Sequence, residues 1–175
     1  MMPLLLLLGL VSVYPKSLDN EVKAFVEHEF SQVLAVTEYP NYDISVTVEN
    51  FSFNSSSAVA SANGDIKIKP AVVANAMKSK AALWSLRITI AHELGHVMAG
   101  HRFTTAARQQ KHELDADRRG LEYFKRLRWS CKVWVERRRR AAEQGNVDAE
   151  HDREAMYEQA KRLCSEDATR KDIGE

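Results

Sequence analysis

The chain is short of several features that would each have pointed elsewhere. It has two cysteines, Cys131 and Cys164, neither in a C-x-x-C pair, so a cysteine-built zinc site is not indicated. The two suit either one disulfide in an oxidising space or buried thiols in a reducing one. No run approaches the roughly 18 apolar residues that a membrane-spanning helix needs, which argues against a membrane-embedded protein. The formal charge is only +1, so nothing draws the chain to nucleic acid in general. There is no internal repeat and no low-complexity linker. What remains is 175 residues, 45% of them hydrophobic, enough for one solid core and most simply one domain over 19–175.

Two segments need separate treatment. Leu4 to Leu8, Gly9, Leu10 and Val11 form an apolar run of signal-peptide length, but no Lys or Arg precedes it and no A-x-A site follows. Residues 1–18 are therefore expected to be a secretory signal or a peripheral membrane anchor. A periplasmic or secreted location follows as the expectation, with a cytoplasmic one left open. Arg137-Arg138-Arg139-Arg140 lies in a helical stretch after Trp129 and Trp134. A solvated helix face is its expected meaning, and contact with a membrane surface or an acidic partner the lesser one.

The most informative feature present is His92-Glu93-Leu94-Gly95-His96. On a helix, side chains four apart share a face, so both imidazoles can reach one metal ion. Glu93 sits beside the first of them, placed to act as general base on water that the metal activates for attack on a peptide bond. Leu83, Leu86, Ile90, Leu94 and Val97 recur at three- and four-residue steps, which predicts the helix and its core-facing stripe. Gly95 costs roughly 1 kcal/mol in a helix relative to Ala, so a packing reason is expected for it, the close approach of a strand or of the third ligand's helix.

Catalytic zinc takes three protein ligands and leaves one position open. An H-E-x-x-H-x-x-G-x-x-H extension would need Gly and His where Ala99 and Arg102 stand, so the metzincin pattern is excluded. Downstream, Glu113-Leu114-Asp115-Ala116-Asp117-Arg118 falls in a segment, Thr104 to Leu127, that reads as a helix burying Leu114, Leu121, Phe124 and Leu127. Glu113 and Asp117 share a face. One can bind the metal while the other accepts a hydrogen bond from the far nitrogen of a ligating histidine.

These residues, HELGHVMAGH followed by ELDADRRGLEYF, resemble the M48 peptidases, the gluzincin group that includes the CAAX-prenyl proteases, the HtpX-type membrane proteases and related quality-control proteases. The family pairs H-E-x-x-H, often with a further histidine five residues on, with E-x-x-A-D. The resemblance implies that Glu113 is the third zinc ligand, that Asp117 supports a ligand histidine, and that His101 is the additional histidine. A solvated helix-end residue is the plain alternative for His101.

Upstream, Ser57 to Ile68 reads as strand, turn, strand, with Asn63-Gly64 as a two-residue hairpin turn. It is similar to the family hairpin whose first strand is a sheet edge that aligns extended substrate by main-chain hydrogen bonds. Ala58, Val59 and Ala60 correspond to that edge, although Ser57 stands where the family usually has Asn and the turn has one glycine instead of two. The resemblance covers about residues 20 to 127 and is specific in three short blocks. Beyond it, family members carry a His-Pro segment and a later arginine that stabilise the oxyanion or gate the cleft. His151 with Arg153 is the nearest counterpart, without the proline. Tyr157 is a further candidate oxyanion donor if its helix folds over the metal. For both, a helix-surface role is the simpler account.

The remaining elements are a helix capped by Asp19 over Asn20 to Leu34, a break at Tyr39-Pro40-Asn41, and a strand carrying Ile44, Val46 and Val48. A short helix is expected over Ala71 to Lys78, then the two metal helices and a Trp-bearing one. The last helix is expected from Asp148 to Cys164, after Gly145-Asn146, with Ala155, Met156, Ala160 and Leu163 inward. The expected fold is α+β and zincin-like, with a small antiparallel-leaning sheet on the active-site helix. The expected function is a zinc metalloendopeptidase acting on extended or unfolded polypeptide. A cytosolic regulatory metallopeptidase of the ImmA/IrrE type, which also joins H-E-x-x-H to a later Glu-x-x-Ala, is one alternative. A latent or inactive zinc-bearing peptide-binding module is the other. Oligomeric state is not legible.

Overall fold

Val22, Val26, Phe30 and Val33 sit three or four residues apart, and the helix they define, α1 (Lys16–Leu34), buries the last three against the core. It begins earlier than expected, so position 19 lies within its first turn and not at a cap. The structure is a computed structural model that describes residues 16–38, 43–51, 57–61, 63–101, 106–145 and 152–171. The apolar N-terminal run, the Tyr39-Pro40-Asn41 break and His151 lie outside these residues.

Three strands follow: β1 (Ser45–Val48), β2 (Ala58–Ala60) and β3 (Asp65–Ile68), in the order β1-β3-β2. The sheet is mixed, which corrects the antiparallel-leaning expectation. β2 and β3 pair antiparallel as a hairpin, but β1 lies on the far side of β3 and runs parallel to it. That order surrounds Ile66 and Ile68, both fully buried, with a strand on either side. The hairpin turn also differs from the expected two-residue form. Ser61 N–H bonds Asp65 O at 2.8 Å, which closes the turn wider than a two-residue one, and Gly64 at φ +96° takes the positive-φ conformation open to glycine.

Next come α2 (Pro70–Lys78), which starts with proline at the position where its missing N–H costs nothing, and α3 (Lys80–Ala99), whose first turn is capped by Ser79 Oγ on Ala82 N–H. Leu86, Ile90 and Leu94 are fully buried, with Leu83 and Val97 packed at the margin. Ile88, Thr89, Ala91 and Gly95 are buried too, because α1 and α2, β2, and the later helices pack around much of α3.

α4 (Ala106–Arg126) inserts Leu121 and Phe124 as expected, with Ala116 and Tyr123. Leu114 is only half-buried; its carbonyl accepts from Gln159 Nε2 at 2.7 Å. α5 (Cys131–Glu143) buries Trp134, whose ring meets Phe124 edge-on at 4.9 Å. α6 (Arg153–Lys171) starts later than expected and runs past Cys164, burying Met156 and Ala160 while Ala155 and Leu163 stay half-buried. Cys131 and Cys164 form a disulfide that ties the start of α5 to α6, Cα atoms 5.8 Å apart. The whole is broadly α+β and mostly helical. No helix among the described residues is long and apolar enough to cross a membrane.

Candidate metal centre

One turn apart on α3, His92 and His96 bring their Nε2 atoms to 3.1 Å. Glu113 of α4 meets them, Oε2 lying 3.0 Å from His92 Nε2 and Oε1 3.4 Å from His96 Nε2. Two glycines make this approach possible. A Cβ on Gly95 would stand 2.5 Å from Ala116 O and 2.9 Å from its Cα, and one on Gly120 would stand 3.0 Å from the backbone of Ala91. The helices touch main chain to main chain, which brings Glu113 within reach of α3 and accounts for the propensity lost at Gly95.

Among the described residues, His92, His96 and Glu113 each offer a ligand atom within 4.8 Å of the others and could hold a metal ion. The fit is close. Tetrahedral coordination with bonds of about 2.0–2.1 Å has ligand-to-ligand edges of about 3.3 Å, and the triangle here has sides of 3.0, 3.1 and 3.4 Å. Two imidazoles, neutral once an ion takes the place of the His92 proton, and a carboxylate are a donor set that a borderline divalent ion could take.

Each histidine turns its Nδ1 outward. His92 Nδ1 lies 2.9 Å from Asp117 Oδ1, and Asp117 also accepts from Trp134 Nε1 at 3.3 Å and from Arg138, whose Nε is 2.7 Å from Oδ2 and whose Nη2 bonds Oδ1. His96 Nδ1 lies 3.0 Å from His101 Nδ1. Gly100, left-handed at φ +64°, ends α3, and the His101 N–H then bonds back to His96 O at 3.1 Å, returning the chain over the ligand. His101 stacks on His112 with ring centroids 4.2 Å apart, and its Nε2 is 3.4 Å from Asp115 Oδ2.

The charges follow from these contacts. Burial disfavours a charged His92, yet hydrogen bonds to Asp117 and Glu113 and their negative charge push it up to about 9. Burial would raise Asp117, but the Arg138 charge and the His92 hydrogen bond hold it at about 2. His101 is pushed down to about 4 by burial and by His96 and His112 beside it. It therefore serves His96 as a neutral acceptor. Burial also raises Glu93, against the pull of His92 and His96.

Glu93 accepts a hydrogen bond from the backbone N–H of Ala60, so the edge strand and the acid meet. On either flank of β2, Ser61 N–H donates to Asp65 O and Ser57 O accepts from Lys69 N–H, so strand alternation directs the main-chain groups of Ala58 and Ala60 away from β3.

Two other expected residues have the following neighbours. Tyr157 has the Lys161 ammonium 5.2 Å over its ring and Arg139 as a charged neighbour. Arg153 Nη1 donates to Gly145 O at 2.9 Å and to Ala141 O at 3.3 Å, holding the end of α5.

The arginine run is divided, which corrects its reading as one solvated face. Arg139 and Arg140 pair outward with Glu136. Arg137 donates to Ser85 O at 2.8 Å and Thr89 Oγ1 at 3.1 Å, while Arg138 enters the centre with a side chain 14% exposed. Positions 137 and 138 follow buried Trp134 by three and four residues, so they share its inward face; that spacing was the available signal. Comparison with protein-family models, with curated proteins and with solved structures found no match.

Proposed function

We propose that this protein is a zinc metalloendopeptidase of zincin type, similar to the M48 group, cutting extended or unfolded polypeptide. One observation carries the proposal: Glu93, its pKa raised by burial, stands between the His92, His96 and Glu113 cluster and the edge strand β2, touching the strand through Ala60. A zinc ion held there would supply Lewis acidity, polarising the scissile carbonyl and lowering the pKa of water to about 7. Glu93 takes the proton of the attacking water and returns it to the leaving amine, a role suited to a carboxylate lifted above its ordinary range. An extended peptide added beside β2 would find the outward main-chain groups of Ala58 and the carbonyl of Ala60, the Ala60 N–H being held by Glu93.

Two observations weigh between the alternatives. His101 engages His96 on Nδ1, the side away from the cluster, which supports an open fourth position over a latent site closed by His101. The Cys131–Cys164 disulfide favours an oxidising compartment, periplasmic or extracellular, over a cytosolic regulatory peptidase. The test is zinc content and casein cleavage for wild type and Glu93→Gln side by side. One zinc per chain in both, with cleavage only in wild type, is expected. Cleavage retained by the zinc-loaded variant would remove Glu93 from the chemistry. Zinc without cleavage in either would leave the peptide-binding module.

A further inference from the structure

We infer that Arg138 is a positioning residue of the metal centre, acting on His92 through Asp117. The inference rests on the proposal that His92, His96 and Glu113 bind zinc. Asp117 is 2% exposed, and both of its oxygens are occupied: Oδ1 by His92 Nδ1 and Arg138 Nη2, Oδ2 by Arg138 Nε and Trp134 Nε1. The forked guanidinium matches a carboxylate edge to edge, which fixes the rotation of Asp117 as well as its position. With Asp117 fixed, His92 must present Nδ1–H outward and its Nε2 lone pair inward, the tautomer a ligand needs. The same fork keeps Asp117 from turning inward as a rival ligand to Glu113, four residues earlier on the same helix.

Arg138 arrives from a different helix than either ligand pair. α5 is placed by Trp134 in the core, by the Arg137 bonds to α3 and by the disulfide to α6, so the donor is fixed from three sides before it meets Asp117. Arg139, the next residue, makes an internal control because among the described residues it bonds outward, to Glu136 and Glu143.

The experiment is zinc affinity by chelator competition, on the full chain with its disulfide, for wild type, Arg138→Ala, Arg138→Lys and Arg139→Ala, each also in an Asp117→Asn background. Loss of an outer hydrogen-bonding partner of a metal ligand weakens binding by about 10–100-fold, and that range is expected for Arg138→Ala. Arg138→Lys, a point charge without a fork, should recover part of it, and Arg139→Ala should match wild type. Arg138 Nη2 also lies 3.5 Å from His92 Nδ1, but with the Nδ1 proton facing Asp117 both atoms are donors and form no bond of their own. With Asp117→Asn already present, Arg138→Ala should therefore add no more than about two-fold, because its hydrogen-bonded route to His92 is gone. Should Arg138→Ala lose its cooperative unfolding transition, Arg138→Gln replaces it, with the same loss expected. Zinc bound by wild type with unchanged affinity in Arg138→Ala, or the same loss in both backgrounds, would overturn this inference alone. A wild type that binds no zinc would overturn it together with the metal site.

Discussion

The two histidines proposed as metal ligands, one turn apart on α3, are held from behind in opposite ways. His92 rests on a buried carboxylate clamped by an arginine and a tryptophan from α5. His96 rests on a neutral histidine supplied by the end of its own helix, stacked on His112 and tethered to half-buried Asp115. The first support is charged, deep and non-local, so it depends on how distant helices dock. The second is neutral, shallow and local, and needs little more than Gly100 and the α3–α4 contact. Ligands of equal standing in the motif therefore have unequal standing in the fold.

The largest expected effect comes from breaking the charged side. Asp117→Ala leaves Arg138 buried without its partner, and removing one member of a buried pair costs about 3–5 kcal/mol. Denaturant unfolding of the metal-free protein should show that loss, with zinc affinity down by about 10–100-fold. A greater loss of affinity in His101→Ala than in Asp117→Ala would invert the comparison.

The disulfide comes next. Cys131 and Cys164 are 33 residues apart, and closing a loop of that length is worth about 3–4 kcal/mol in the chain-entropy account. The Cys131→Ser, Cys164→Ser double variant should lose about that much stability. It should also bind zinc less tightly, because α5 carries Trp134 and Arg138. Unchanged zinc affinity in a clearly destabilised double variant would show that α5 keeps its place without the tie.

On the local side the effect is smaller. His101→Ala should lower zinc affinity by about 10-fold or less, the lower end for an outer partner, since the support removed is neutral and leaves no buried charge unpaired. Chelator competition reads it directly. A loss equal to that of Asp117→Ala would mean that charge and depth do not rank the two supports.

Legibility in the sequence divides along the same line. His92, His96, Glu113 and Asp117 could be grouped beforehand because helical spacing alone puts each pair on one face, and Gly95 advertised a close contact that turns out to be with Ala116 of α4, the helix that carries Glu113. Ala58 to Ala60 could be read as a strand at a sheet edge, and the observed order leaves β2 there. What spacing cannot carry is docking between distant elements. Arg137 and Arg138 look like neighbours of Arg139 and Arg140 until Trp134 is known to enter the core. The two cysteines were compatible with bonded or free thiols until α5 and α6 were seen side by side. The parallel β1 pairing likewise depends on where the chain passes between 49 and 57, and no alternation within β1 records it.

The smallest and most discriminating test is the pH dependence of stability in the metal-free protein. His92 is raised from 6.5 to about 9, so its contribution is fully present below about pH 6.5 and is lost as pH climbs through about 9. His101 is lowered from 6.5 to about 4, so the folded state resists a proton that the unfolded chain accepts. Its contribution is present above about pH 6.5 and is lost as pH falls toward about 4. The two supports thus fail at opposite ends of the scale, and their combined effect is a maximum near pH 6.5. In denaturant midpoints measured from pH 4 to 9.5, Asp117→Asn should flatten the alkaline limb, because the carboxylate that holds the His92 proton is gone. His101→Ala should flatten the acid limb and leave the alkaline one in place. If either variant flattened both limbs, the two histidines would be titrating as one coupled unit and the separation between charged and neutral support would not hold.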